Sequence, residues 1–156
     1  MKSITSKYAK NRRDELSKDI TKYWTIIKNE NIISKGTIRN YDLKVLLTKI
    51  QEMAEERILM KLYLQCINIG YKKFSDLPAE NNYYTIFSLS EKQEQLFHLG
   101  KIKTIDPKIK RAKGKKNLNI SEELTSAYIS NIKNKLQIEI NKLNKDLSLI
   151  HISEPT

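Results

Sequence analysis

A chain of 156 residues with 29 Lys and Arg against 18 Asp and Glu carries a formal net charge of +11. One cysteine excludes an internal disulfide scaffold, and four glycines and three prolines are too few for a turn-rich β-sandwich or barrel. No apolar run reaches the length of a membrane span, and the opening MKSITSKYAKNRRDEL lacks the apolar stretch of a secretory leader, so a cytoplasmic, mainly helical protein without membrane contact is expected.

Leu16, Ile20, Tyr23, Trp24 and Ile27 repeat with the spacing of one helical face, which predicts a first helix from about Lys7 to Lys28. Residues 1–13 hold Lys2, Lys7, Lys10, Arg12 and Arg13 with no acid and read as a basic N-terminal arm. A second helix is expected from about Asn40 to Ile69, with Asn40 as its cap and Asp42 in its first turn. Its stripe is Leu43, Leu46, Leu47, Ile50, Met53, Ala54 and Ile58. The half from Ile58 to Ile69 is apolar nearly all round, and is expected to be the most buried part of the protein. Tyr71-Lys72-Lys73-Phe74 follows, its lysines reading chiefly as complements to the helix C-terminal dipole.

Between Pro78 and Leu99 the apolar residues Tyr83, Ile86, Phe87, Leu89 and Leu96 predict a short helical pair. Ser88 with Glu91, and Ser90 with Gln93, match capping boxes, so a helix is expected to restart near Leu89. Gly70 and Gly100 follow periodic runs and read as left-handed caps. A last helix is expected from near Ser121, with Glu122 and Glu123 in its first turn. Its narrow stripe of Leu124, Tyr128, Ile132, Leu136, Ile140 and Leu143 suits pairing with one neighbouring helix, or self-association with a partner helix in a coiled coil.

Between these helices lies the other concentration of charge. Residues 101–116 hold Lys101, Lys103, Lys108, Lys110, Arg111, Lys113, Lys115 and Lys116 against Asp106 alone, whereas 14–100 and 117–146 are each neutral. Excess charge gathered into two short segments is the footprint of contact with DNA or RNA phosphates. The 24 lysines accompany 22 Ile and 13 Asn, residues that AT-rich codons over-supply, so a solvated linker is the competing reading of 101–116. The stretch Lys-Ile-Lys-Thr-Ile from Lys101 could form a strand, with NIISKGTI around Gly36 as its partner.

Catalytic and cofactor signatures are absent: no GxGxxG, Walker-type loop, HExxH, EF-hand loop or CxxC. Cys66 with His98 would make a thiolate–imidazole pair, but Cys66 falls in the most apolar part of the second helix and reads as an inert core thiol. Glu91, Glu94 and His98 share a helical face and, with Glu52 and Glu56, could ligate a metal. That face lies opposite Leu89 and Leu96 and reads instead as solvated, with Lys49 and Arg57 as surface partners of the second-helix acids. Asn119-Ile120-Ser121 is a formal glycosylation sequon that reads as a helix cap.

Residues Leu147–Thr156 read LSLIHISEPT, and all ten match the translation of a transposase-end adaptor used in sequencing libraries. This tail is expected to be foreign to the natural protein, so fold and function are read from residues 1–146.

The expected architecture is all-α. A helical core occupies residues 1–100 with its basic arm, a basic connector 101–120, and an amphipathic helix 121–146. No cofactor, metal or catalytic residue is expected, and an enzyme ranks third. The leading expectation is a binding or scaffold protein that touches nucleic acid through 1–13 and 101–116. The alternative is a protein–protein interaction or oligomerisation module whose basic linker is only solvated.

Overall fold

A computed structural model describes residues 5–68, 82–106 and 119–153, with the side chains of 68 and 149–153 left out. Among these residues the fold is all-α: four helices and one two-stranded ribbon. In chain order they are α1 (Ser6–Glu30), β1 (Ile32–Ser34), α2 (Leu43–Asn68), α3 (Tyr83–Leu99), β2 (Ile120–Glu122) and α4 (Ser126–Ser153).

Helix α1 begins where Thr5 accepts a hydrogen bond from the Tyr8 amide at 3.1 Å. It buries Ala9, Leu16, Ile20, Trp24 and Ile27, so the apolar stripe predicted from Leu16 onward reaches back to the second turn. Most of residues 1–13 therefore belong to this helix and do not form an arm. The α2 stripe is as expected: Leu43, Leu46, Leu47, Ile50, Ala54 and Ile58 are buried and Met53 half-buried. Together α1 and α2 form the antiparallel hairpin on which the rest is built. Its open end is sealed by Ala9, Leu16 and Met60, with Tyr63 and Leu64 packed over them.

The larger core lies at the other end. There Ile20, Trp24 and Ile27 meet Leu43, Leu46, Leu47 and Ile50, and Leu99, Ile102, Leu124, Ile129 and Leu136 close over them. The expectation that Ile58–Ile69 would be most buried is corrected: Ile58, Leu62 and Cys66 are buried, but Leu59 and Ile67 are exposed. Gly70, Tyr71–Phe74 and Pro78 lie outside the described residues.

Helix α3 is one continuous element rather than a short pair, so neither Ser88 nor Ser90 caps a restart. Its inward face is Ser88, Glu91 and Leu99, while Phe87 and Leu96 are half-buried. Gly100 ends it in the right-handed region at φ −67° rather than as a left-handed cap. The only positive φ among the described residues is at Gly36, +89°, in the turn after β1, where the Thr37 amide donates to the Ser34 carbonyl at 3.1 Å.

Strand β1 pairs antiparallel with β2 in the register Ile32–Glu122, Ile33–Ser121 and Ser34–Ile120. The sequence around Gly36 does supply a strand, but its partner is not Lys-Ile-Lys-Thr-Ile. In that stretch Ile102 and Ile105 are buried while Lys101 and Lys103 point outward, so the start of the connector is anchored in the core. Ser121 is a strand residue and not a helix cap. The last helix starts five residues later than expected, where the Thr125 hydroxyl accepts from the Tyr128 amide at 3.1 Å.

Leu124 is fully buried just ahead of α4. Leu136 and Ile140 are buried, Tyr128 and Ile132 pack against the main core, and Leu143 is half-buried. The narrow stripe is thus used mainly within the chain, and Lys92 of α3 pairs with Glu139 of α4 at 2.8 Å. The helix continues into the adaptor-like segment as far as Ser153.

Candidate nucleic-acid interface

The base of the basic segment is built by one asparagine. Asn31 follows the last turn of α1 and is fully buried. Its side-chain amide donates to the carbonyls of Lys103 at 2.8 Å and Leu124 at 3.0 Å, and its side-chain oxygen accepts from the Leu124 amide at 2.7 Å. Both ends of the connector are therefore tied to one point at the end of α1. Glu122 adds a second tie by accepting from the Ile105 amide at 2.7 Å.

Arg39 reinforces this clasp. Its guanidinium donates to the carbonyls of Glu30, Asn31 (3.0 Å) and Ser121 (3.1 Å). Glu123 accepts from the backbone amides of Leu43 at 2.7 Å and Lys44 at 3.2 Å, so it caps α2 instead of opening the last helix. Asp42, not Asn40, supplies the local cap through its contacts with Lys44 and Val45.

Of the basic residues singled out, Lys101 and Lys103 are exposed beside this clasp. Lys108, Lys110, Arg111, Lys113, Lys115 and Lys116 lie outside the described residues. Lys7 and Lys10 are exposed on the first turns of α1. At 1.5 Å per residue they stand roughly 35 Å along the helix from Asn31, so the two basic segments are rooted at opposite ends of the molecule. Arg12 is occupied: it forms a two-pronged pair with Glu56, with Nη2 to Oε1 at 2.9 Å, and meets Glu15 at 3.0 Å. The hydrogen bonds with Glu56 hold the Arg12 guanidinium above its ordinary pKa and the Glu56 carboxyl below its own. Arg13 meets Asp14 at 3.2 Å.

Of the acids thought to face solvent, Glu91 is drawn inward. Glu91 is 3% exposed and receives Arg57 Nε at 2.6 Å and Nη2 at 2.5 Å, while Glu94 also accepts from Arg57. Ser17 takes the remaining arm at 3.1 Å, and Lys61 lies 3.4 Å from Glu91. Burial of Arg57 opposes its charge, but the two carboxylates prevail and its pKa is raised. The solvated-face reading is corrected for Glu91, which is buried, and for His98, which is half-buried, whereas Glu94 is exposed as expected. Among the described residues no group of three His, Cys, Asp or Glu side chains is placed to hold a metal ion.

His98 turns the other way. Its ring stacks on Trp24 at 5.0 Å, and its Nδ1 accepts from the Lys28 ammonium at 2.8 Å. Burial first, then Lys28, hold its pKa below the ordinary 6.5. Cys66 is buried in the C-terminal half of α2.

Beyond His98 the surface opens into a cleft of about 580 Å³ between α3 and α4, lined by Gln93, Leu96, Phe97, Lys101, Lys133 and Gln137. Phe97 is 60% exposed, with its ring edge-on to His98 at 5.4 Å and Lys101 Nζ 5.3 Å from its centroid. Among the described residues no carboxylate pairs with Lys101, Lys103 or Lys133. Sequence reasoning found Lys101 and Lys103 but missed Phe97 and Lys133, since their meeting depends on how α3 packs on α4.

No helix among the described residues is long and apolar enough to cross a membrane. No protein-family model matches the chain, and no curated protein or solved structure is significantly similar to it.

Proposed function

We propose that this chain is a helical binding protein that associates with the phosphate backbone of nucleic acid through the basic segment leaving the end of α3. The observation that carries this reading is the separation of charge. Residues 101–116 hold eight basic side chains and one acid, and the segment departs from a base where Lys101, Lys103 and Lys133 have no paired carboxylate among the described residues. Elsewhere acids and bases neutralise one another in Arg57–Glu91, Arg12–Glu56 and Lys92–Glu139. Attraction to a polyanion is therefore concentrated at this end, with Lys7 and Lys10 exposed at the far end of α1. Seven of the eight basic residues are lysines, which act as point charges and not as bidentate forks, so the contact reads phosphate and not base sequence.

The test is binding of generic duplex DNA and RNA at low salt by the full chain, and by a variant with Lys108, Lys110, Arg111, Lys113, Lys115 and Lys116 all replaced by Gln. Wild type should bind, and the variant should lose most of that affinity while keeping its helical circular dichroism. Equal binding by both proteins would refute the assignment. A role in self-association through the last helix has less support, because most of its stripe is already packed within this chain.

A further inference from the structure

We infer that the α3–α4 cleft is a stacking site for one unpaired base, and that the chain therefore binds single-stranded nucleic acid more tightly than duplex. This rests on the proposed nucleic-acid reading and deepens it. A basic segment alone does not distinguish strands, because duplex and single strand both present phosphates. Phe97 supplies the distinction, since an aromatic face in a basic groove takes the π-face of a base that only an unpaired strand can offer.

Three features make Phe97 more than a stray exposed aromatic. First, its ring is braced: it meets His98 edge-on at 5.4 Å, and His98 is itself held between Trp24 and Lys28. The row runs from core to surface, so the outermost ring is held in place before any ligand arrives. Second, cations flank it. Lys101 Nζ is 5.3 Å from the ring centroid, and Lys133 faces it across the cleft, so phosphates on either side of a stacked base meet positive charge. The exposed Lys101 stem can swing off the ring and exchange the aromatic face for a phosphate oxygen. Third, the amides of Gln93 and Gln137 line the same cleft and can reach a base edge.

The test uses the full chain with labelled oligo(dT), oligo(U) and a mixed-sequence duplex, comparing wild type, Phe97→Ala and Phe97→Tyr by fluorescence anisotropy. One lost stack is expected to weaken single-strand binding about tenfold and to lower the ratio of single-strand to duplex affinity. Phe97→Tyr, which keeps the ring, should restore the ratio. Wild-type single-strand affinity in Phe97→Ala would overturn the stacking site while leaving the phosphate reading in place. Failure of wild type to bind any of the three probes at low salt would overturn both.

Discussion

At the scale of single residues, Glu91 carries the plainest lesson. Around α3 its position lies away from Leu89 and Leu96, and a helical wheel takes it for a solvent-facing acid. In the fold it is buried because Arg57 of α2 reaches it with two hydrogen bonds. Nothing local to either residue announces the other, since they are 34 positions apart. Removing one partner of a buried pair leaves the other charge uncompensated, so Glu91→Ala should cost about 3–5 kcal/mol in urea unfolding. The double replacement Arg57→Met with Glu91→Leu should cost less than that single change. A Glu91→Ala protein as stable as wild type would mean that the pair does not hold α3 on α2.

His98 supplies a second test at this scale. Its neutral form is favoured in the fold by burial and by the Lys28 ammonium, with Arg57 adding and Glu94 opposing. As pH falls, the unfolded chain takes up the proton first, near 6.5, and the folded chain only lower. The contribution of His98 is thus intact above about pH 6.5 and is lost as pH falls below it. A proton NMR titration should place His98 below 6.5. A His98 midpoint at or above that value would contradict the contact with Lys28.

At the scale of elements, the α1 and α2 stripes were legible because each helix follows a 3.6-residue period and packs mainly on the other. The ends of elements were not. Glu122 and Glu123 look like the acidic first turn of a helix, which is a local signal. Tertiary structure assigns them elsewhere: Glu122 pairs with Ile32 in the ribbon, and Glu123 caps α2 some 80 positions upstream. Asn31, which joins the end of α1 to both ends of the connector, resembles any other polar residue after a helix, because its partners are backbone groups more than 70 positions away. The role of Glu123 predicts that Glu123→Ala costs about 0.5–2 kcal/mol, the usual cost of a lost helix cap, measured by thermal unfolding. No loss would return the cap to Asp42 alone.

At the scale of the whole molecule, charge is arranged more tellingly than any single residue. A helical body neutral over residues 14–100 and 117–146 carries its excess in segments rooted at opposite ends of α1. The N-terminal segment is partly neutralised by Glu56, Glu15 and Asp14, while the connector departs from a base without paired acids among the described residues. The all-α class was legible in composition and period; the cleft lined by Phe97 and Lys133 was not, because it arises only where α3 meets α4. The most direct measurement of the central claim is the salt dependence of binding to duplex DNA. If six phosphates are engaged, log affinity should fall against log salt with a slope near −5, about 0.9 per contact, and the connector variant should flatten it. A wild-type slope near zero would contradict the account.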